Sequence, residues 1–189
     1  MTLRLPKPIV LTGDSVRLEP LAPAHVADLF EAAQDDAIWR WLPVHRPERK
    51  QDVRRMVRDH PGAPAWAVIV DGRAVGSSSY LDVDLDVGGL EIGWTWYARS
   101  AWGGRVNPEC KLVLLGHAFD DLGAARVTLK TDARNARSRS AITRLGARED
   151  GTLRHAKLRN DGSVRDTTYF SILAREWPDV RAGLQARLR

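Results

Sequence analysis

Residues 102 to 122 constrain this 189-residue chain most: Trp102-Gly103-Gly104-Arg105-Val106-Asn107-Pro108-Glu109-Cys110-Lys111 runs into an apolar helical stretch ending at Leu122. A glycine-bearing turn thus opens a helix. Gly103 and Gly104 let the backbone approach a ligand closely, Asn107 is placed to cap, and Pro108 suits the first helical position. The N–H groups of a first helical turn lack intrahelical acceptors and sit at the positive end of the helix dipole, so this corner predicts an anion site.

The length predicts one domain over residues 1–189, because two ordinary domains would need a linker that the sequence does not show. Lys and Arg number 29 against 24 Asp and Glu, a net charge of +5 that favours anionic ligands. The charges are interleaved, and neither Gly-x-x-x-x-Gly-Lys-(Ser or Thr) nor Gly-x-Gly-x-x-Gly occurs, so no nucleic-acid partner is expected. Cys110 is the only cysteine, which excludes an internal disulfide and fits a reducing compartment; the five histidines lack metal-ligand spacing, so no metal is expected. No run of about 18 apolar residues and no signal-like start is present, which predicts a cytoplasmic protein with no membrane partner.

Periodicity gives the order of elements. A first strand is predicted from Ile9 to Pro20, then a helix from Pro23 with Val26, Leu29, Phe30 and Ala33 on one face, and a second helical region from Ile38 to His60 broken at Pro43 and Pro47. Trp66 to Val70 and Ala74 to Leu81 form a hairpin about the turn Asp71-Gly72. Along Leu90 to Tyr97, strict alternation puts Leu90, Ile92, Trp94 and Trp96 on one face and Glu91, Gly93, Thr95 and Tyr97 on the other. After the middle helix come a strand from Arg126 to Thr131 and a helix from Asn135 to Leu145 closed by Gly146. A hairpin about Asn160-Asp161-Gly162 and a helix from Glu176 to Leu188 end the chain.

This β-α-α-β-β-β-α-β-α-β-β order resembles the GNAT superfamily of acyl-CoA-dependent N-acetyltransferases over nearly the whole chain. The resemblance rests on Glu91-Ile92-Gly93-Trp94, Asn107-Pro108-Glu109-Cys110-Lys111-Leu112, His117-Ala118-Phe119, Asn135-Ala136-Arg137-Ser138 and Leu145-Gly146-Ala147. Val16 to Leu21 and Arg165-Asp166 look like the branch of RimJ/RimL ribosomal-protein N-acetyltransferases. The resemblance implies an α/β (α+β) fold with a mixed central sheet of about seven strands flanked by helices. It also implies acetyl-CoA as co-substrate and direct attack of an acceptor amine, either a protein N-terminus or a small amine, on the thioester.

The superfamily's loop (Arg or Gln)-x-x-Gly-x-(Gly or Ala) falls on Trp102, Arg105 and Asn107, all three of which depart from it. The implied coenzyme-binding residues are Trp102, Gly103, Gly104, Arg105, Val106, Asn107, Asn135 and Ser138. Asn135 also reads as a helix cap, with Ser138 in the first turn. Where many members place a proton-donating tyrosine, this chain has Ile142, which leaves Ser138 and, more weakly, Tyr169 as donors to the leaving thiolate. Glu91 is the candidate base, acting through water, weighed against a solvated strand glutamate paired with an arginine. Glu109 reads as complementing the helix dipole, and Cys110 as a buried packing residue rather than a nucleophile. Trp39 and Trp41 read as core or as one wall of the acceptor cleft.

Neutralising an amine at pH 7 costs about 1 kcal/mol for an α-amine but about 4.6 kcal/mol for lysine, so a single modest carboxylate favours a protein N-terminus or another amine of low pKa. The alternative from another class is a non-catalytic acyl-CoA-binding or partner-docking module. Trp177 and Leu184 in the last helix read either as a homodimer contact or as a cover for the sheet.

Overall fold

The computed structural model describes residues 3–189. Its strands are β1 (Leu11–Thr12), β2 (Arg17–Pro20), β3 (Ala65–Val70), β4 (Arg73–Asp84), β5 (Gly89–Tyr97), β6 (Arg126–Asp132), β7 (Arg148–Leu158) and β8 (Val164–Leu173). The helices are α1 (Val26–Ala32), α2 (Asp36–Trp39), α3 (Lys50–Arg58), α4 (Val106–Gly116), α5 (Ala136–Arg144) and α6 (Trp177–Leu188). All eight strands join one mixed sheet in the order β1-β2-β3-β4-β5-β6-β8-β7. The expected first strand is two short ones, because the chain turns back between Thr12 and Arg17 to pair them antiparallel.

Each face of the sheet buries its own apolar cluster. On one, Trp66, Tyr80, Leu90, Ile92, Val127 and Ile172 pack against Leu114 and Leu115 of α4, Ile142 of α5 and Trp177 and Leu184 of α6. On the other, Ala67, Ile69, Ala74 and Trp96 meet Val26 and Leu29 of α1, Trp39 of α2 and Val53 of α3. Trp177 and Leu184 are thereby buried within the chain, Trp177 stacking on Phe119, so these two side chains cover the sheet.

Turn chemistry is local and follows the sequence. Asp71 and Gly72 both have positive φ (49° and 76°), the requirement of a two-residue hairpin turn, and Gly146 ends α5 at φ 96°. The tip of the last hairpin reaches across the molecule: Asn160 Nδ2 donates to the carbonyls of Trp39 and Val44, both at 3.2 Å.

Two irregularities at the centre create the functional geometry. The only parallel pair among the described residues, β5 with β6, is matched from Gly89–Arg126 through Glu91–Thr128. Beyond Glu91 the two strands diverge and leave a fork. Within β5, the register with β4 slips between Ser77–Trp96 and Ser79–Gly93, so two residues of β5 oppose one of β4, and Trp94 takes φ 48°. This is a β-bulge, which reverses the facing of every later side chain.

Candidate active site

The fork opens into a cleft of about 390 Å³ lined from β5, β6, α4, α5 and the turn before α4. The bulge decides what each wall carries. Leu90, Ile92 and Tyr97 lie on the α4 face, and Thr95 Oγ1 there accepts a hydrogen bond from Lys111 of α4. Trp96 packs with α1 to α3, and Trp94 meets His60 beyond α3, on the opposite side. The strict alternation expected along this strand therefore fails at Trp94: Glu91 does not share its face with Thr95 and Tyr97.

Glu91 stands where the fork closes, and is 4 % exposed. Its Oε2 is paired with Lys130 Nζ of β6, which also reaches Asp82 at 3.2 Å. Burial lifts the Glu91 carboxyl above the usual carboxylate range even with the lysine opposing it. Glu91 is thus paired, but it is buried rather than solvated and its partner is a lysine, not the expected arginine. The carboxylate lies over Gly93, where an added Cβ would run into Oε1, so the Glu91-Ile92-Gly93 sequence is a packing requirement of this carboxylate.

At the cleft's far end the chain turns at Gly103 (φ 76°), and a Cβ on Gly103 or Gly104 would meet nothing within 4 Å. The first bond of α4 runs from the Glu109 N–H to the Arg105 carbonyl, so the N–H groups of Arg105, Val106 and Asn107 make no backbone hydrogen bond. Arg105, not Asn107, is the cap residue, and Pro108 occupies the third helical position, where its missing N–H costs nothing. The Trp102 indole donates to the Tyr97 carbonyl at 3.0 Å, and the guanidinium carbons of Arg137 and Arg99 lie 3.2 and 4.4 Å from its ring centroid. Arg137 has no acidic partner among the described residues. Open backbone donors beside an arginine held on a tryptophan fit a phosphate group.

Arg105 and Val106 do not line the cleft with their side chains. Arg105 leans back to 3.5 Å from Glu109, and Val106 packs against the core. Glu109 does more than complement a dipole: its carboxylate accepts from Ser15 N–H (2.6 Å), Ser15 Oγ (2.5 Å) and Val16 N–H (3.1 Å), tying the β1–β2 turn to α4. Asn135 caps α5 as expected, its Oδ1 accepting from the Ser138 N–H at 3.1 Å. Ser138 faces the cleft with its Oγ bound to no described residue, and Ile142 lines it two turns from the start of α5. Tyr169 does not line the cleft; it lies with its ring 5.9 Å from Lys130 Nζ. Cys110 is fully buried, and burial raises its thiol, which makes it inert.

Three cations carried no assigned role from sequence: Lys111, Lys130 and Arg165. Lys111 is 4 % exposed, has no carboxylate partner among the described residues, and donates to Thr95 Oγ1 at 2.8 Å and Ser78 Oγ at 3.4 Å. Desolvation holds its ammonium down to about 8. A lysine on an otherwise apolar helix face was the available signal.

A forked parallel pair, a bulged strand and a phosphate-ready helix start in one cleft also occur where residues 15–148 match a known family, described as Acetyltransferase (GNAT) domain. The chain belongs to the GNAT acetyltransferase family. The enzymes of this family transfer an acetyl group from acetyl-CoA, so this chain is an acetyl-CoA-dependent acetyltransferase. It is 30 % identical over 170 residues to the Bacillus subtilis (strain 168) protein named Putative ribosomal N-acetyltransferase YdaF, covering 85 % of this chain and 90 % of that one. A GCN5-related N-acetyltransferase from Brucella melitensis superposes with a TM-score of 0.93 at 28 % identity, over 100 % of this chain and 90 % of that chain. Mycobacterium smegmatis RimJ, solved in complex with CoA-disulfide, shares the fold at a TM-score of 0.79 and 24 % identity, over 96 % of each chain. The eight-stranded sheet found here is the GNAT fold. No described helix of the acetyltransferase is long and apolar enough to cross a membrane.

Proposed function

We propose that this acetyltransferase acts on an amine of low pKa, a protein N-terminus or a small amine, which attacks the donor directly in the β5–β6 fork. The observation that carries this reading is Glu91: a buried carboxylate with a raised pKa at the closed end of the fork, held by Lys130.

Bound acetyl-CoA supplies the activated acetyl thioester. Gly103, Gly104 and the free N–H groups of residues 105 to 107 would hold its diphosphate, with Arg137 stacked on Trp102 adding charge and Asn135 and Ser138 holding the rest of the molecule. Glu91 draws the amine's proton through a water, a task that suits a carboxylate raised towards neutral pH and an amine that is already partly neutral. A β5 backbone N–H left free by the fork stabilises the carbonyl oxygen as it gains charge. Ser138, on the cleft wall where the tyrosine position is taken by Ile142, would be the donor to the departing thiolate, and Lys111 would lend positive charge to the same cleft.

Thiol release from acetyl-CoA, followed with peptides that carry either a free α-amine or a blocked N-terminus and free lysines, tests the reading. Turnover is expected with free α-amines. Turnover confined to the lysine peptides would overturn it.

A further inference from the structure

The roof of the cleft carries a cation that the acetyl transfer described above does not use. Arg165 stands at the start of β8, opposite Lys157 of β7, and both line the cleft beneath the hairpin tip that Asn160 anchors to Trp39 and Val44. Its Nε is buried with no hydrogen-bond partner, and the described residues give its guanidinium no ion pair. The nearby carboxylates are already engaged: Asp132 is held by Arg159 at 2.6 and 3.1 Å, and Glu91 by Lys130. Burial and the neighbouring Arg159 hold the Arg165 guanidinium below the usual arginine range, the expected state of a cation lacking its counter-ion.

Asp132 and Glu91 are both committed to other cations, yet Arg165 lines the same cleft as Glu91. A planar fork of donors left open in this way matches a carboxylate in bidentate geometry. Resting on the proposed amine acetylation at Glu91, we infer that Arg165 reads a carboxylate on the acceptor, so the substrates are amines that carry a carboxylate close to the reacting nitrogen. The acidic group belongs either to a free amino acid, as its own carboxylate, or to a peptide, as an acidic side chain next to the N-terminus.

Matched acceptor pairs test this. Free amino acids are compared with their carboxamides, and peptides with Asp at the second position with the same peptides carrying Asn, each by kcat/KM for thiol release from acetyl-CoA. The carboxylate member of at least one set is expected to be favoured at least tenfold, and the favoured set tells which source the enzyme uses. R165M is expected to bring that ratio close to one and R165K to restore part of it, with thermal melts showing that both variants fold. Equal use of both members by the wild type, or an unchanged ratio in folded R165M, would overturn the inference while leaving amine acetylation standing. If no pair turns over, the same compounds are titrated calorimetrically into the CoA-loaded protein, where carboxylates that bind no more tightly than carboxamides overturn the inference as well. Absence of thiol release with every amine would instead count against the acetylation reading.

Discussion

Lys111 Nζ donates to Thr95 Oγ1 across 2.8 Å, joining the second turn of α4 to the strand residue that the bulge has turned towards it. The hydroxyls of Thr95 and Ser78, themselves 2.7 Å apart, are the polar groups that face this ammonium in a buried layer. The fold therefore holds a charge in a place that disfavours it.

That placement sets a pH dependence of stability. The folded lysine titrates at about 8 against an ordinary 10.5, so between these values the unfolded chain binds more protons than the folded one. Stability is expected to rise with pH across this window, by roughly 3 kcal/mol for this residue. Urea denaturation of the wild type and K111M from pH 7 to 10 should show the difference between them shrinking as pH rises, with K111M the more stable at pH 7. A difference independent of pH would show that Lys111 is not the group responsible.

Glu91 governs the acid side of the rate profile. E91Q is expected to lower kcat/KM by about 10²- to 10³-fold, as loss of a general base does. In the wild type the rate should fall as pH drops through a pKa above the ordinary carboxylate range, because burial raises this group. That limb should vanish in E91Q. Rate measurements from pH 5 to 9 on both proteins check the expectation.

Gly93 is expected to be intolerant of any side chain. G93A places a methyl group against Glu91 Oε1 and Leu81, so the carboxylate must leave its position over the strand. The variant should lose activity nearly as far as E91Q while its KM for acetyl-CoA stays within about threefold, since the diphosphate corner lies elsewhere. A steady-state comparison of the two variants tells displacement of the carboxylate from general misfolding.

Trp102 is a platform for two arginines. W102A removes the ring that holds Arg137 and Arg99, and the KM for acetyl-CoA is expected to rise by about 3- to 30-fold with a smaller change in kcat. Calorimetric titration of CoA into W102A and the wild type measures the same loss without turnover.

The legible and the hidden parts of this protein divide by range. Asp71-Gly72, the Asn135 cap and the Gly146 stop are decided by a few neighbouring residues, and each stands where local chemistry puts it. The fork left no local signal, since nothing in either strand says that β5 and β6 part after Glu91. The bulge at Trp94 inverted an alternation that looked clean, because the slip is imposed by pairing with β4 and leaves no mark in β5 itself. Glu109 and Arg165 were opaque for a related reason. What they meet, or fail to meet, lies about 94 residues away for Glu109 with Ser15 and across the cleft for Arg165. The cap role of Asn107 failed by two positions, as helix ends often do when several residues compete for the start.

The brief contact between β5 and β6 bears on more than chemistry. Three matched residue pairs are all that stitch one half of the sheet to the other at its centre. On the proposed reading, a long flexible molecule lying between the parted strands would take over missing rungs by bonding to edges that the protein itself leaves unpaired. The coenzyme would then be a structural splint as well as a reagent, and loading it is expected to stiffen the centre of the sheet.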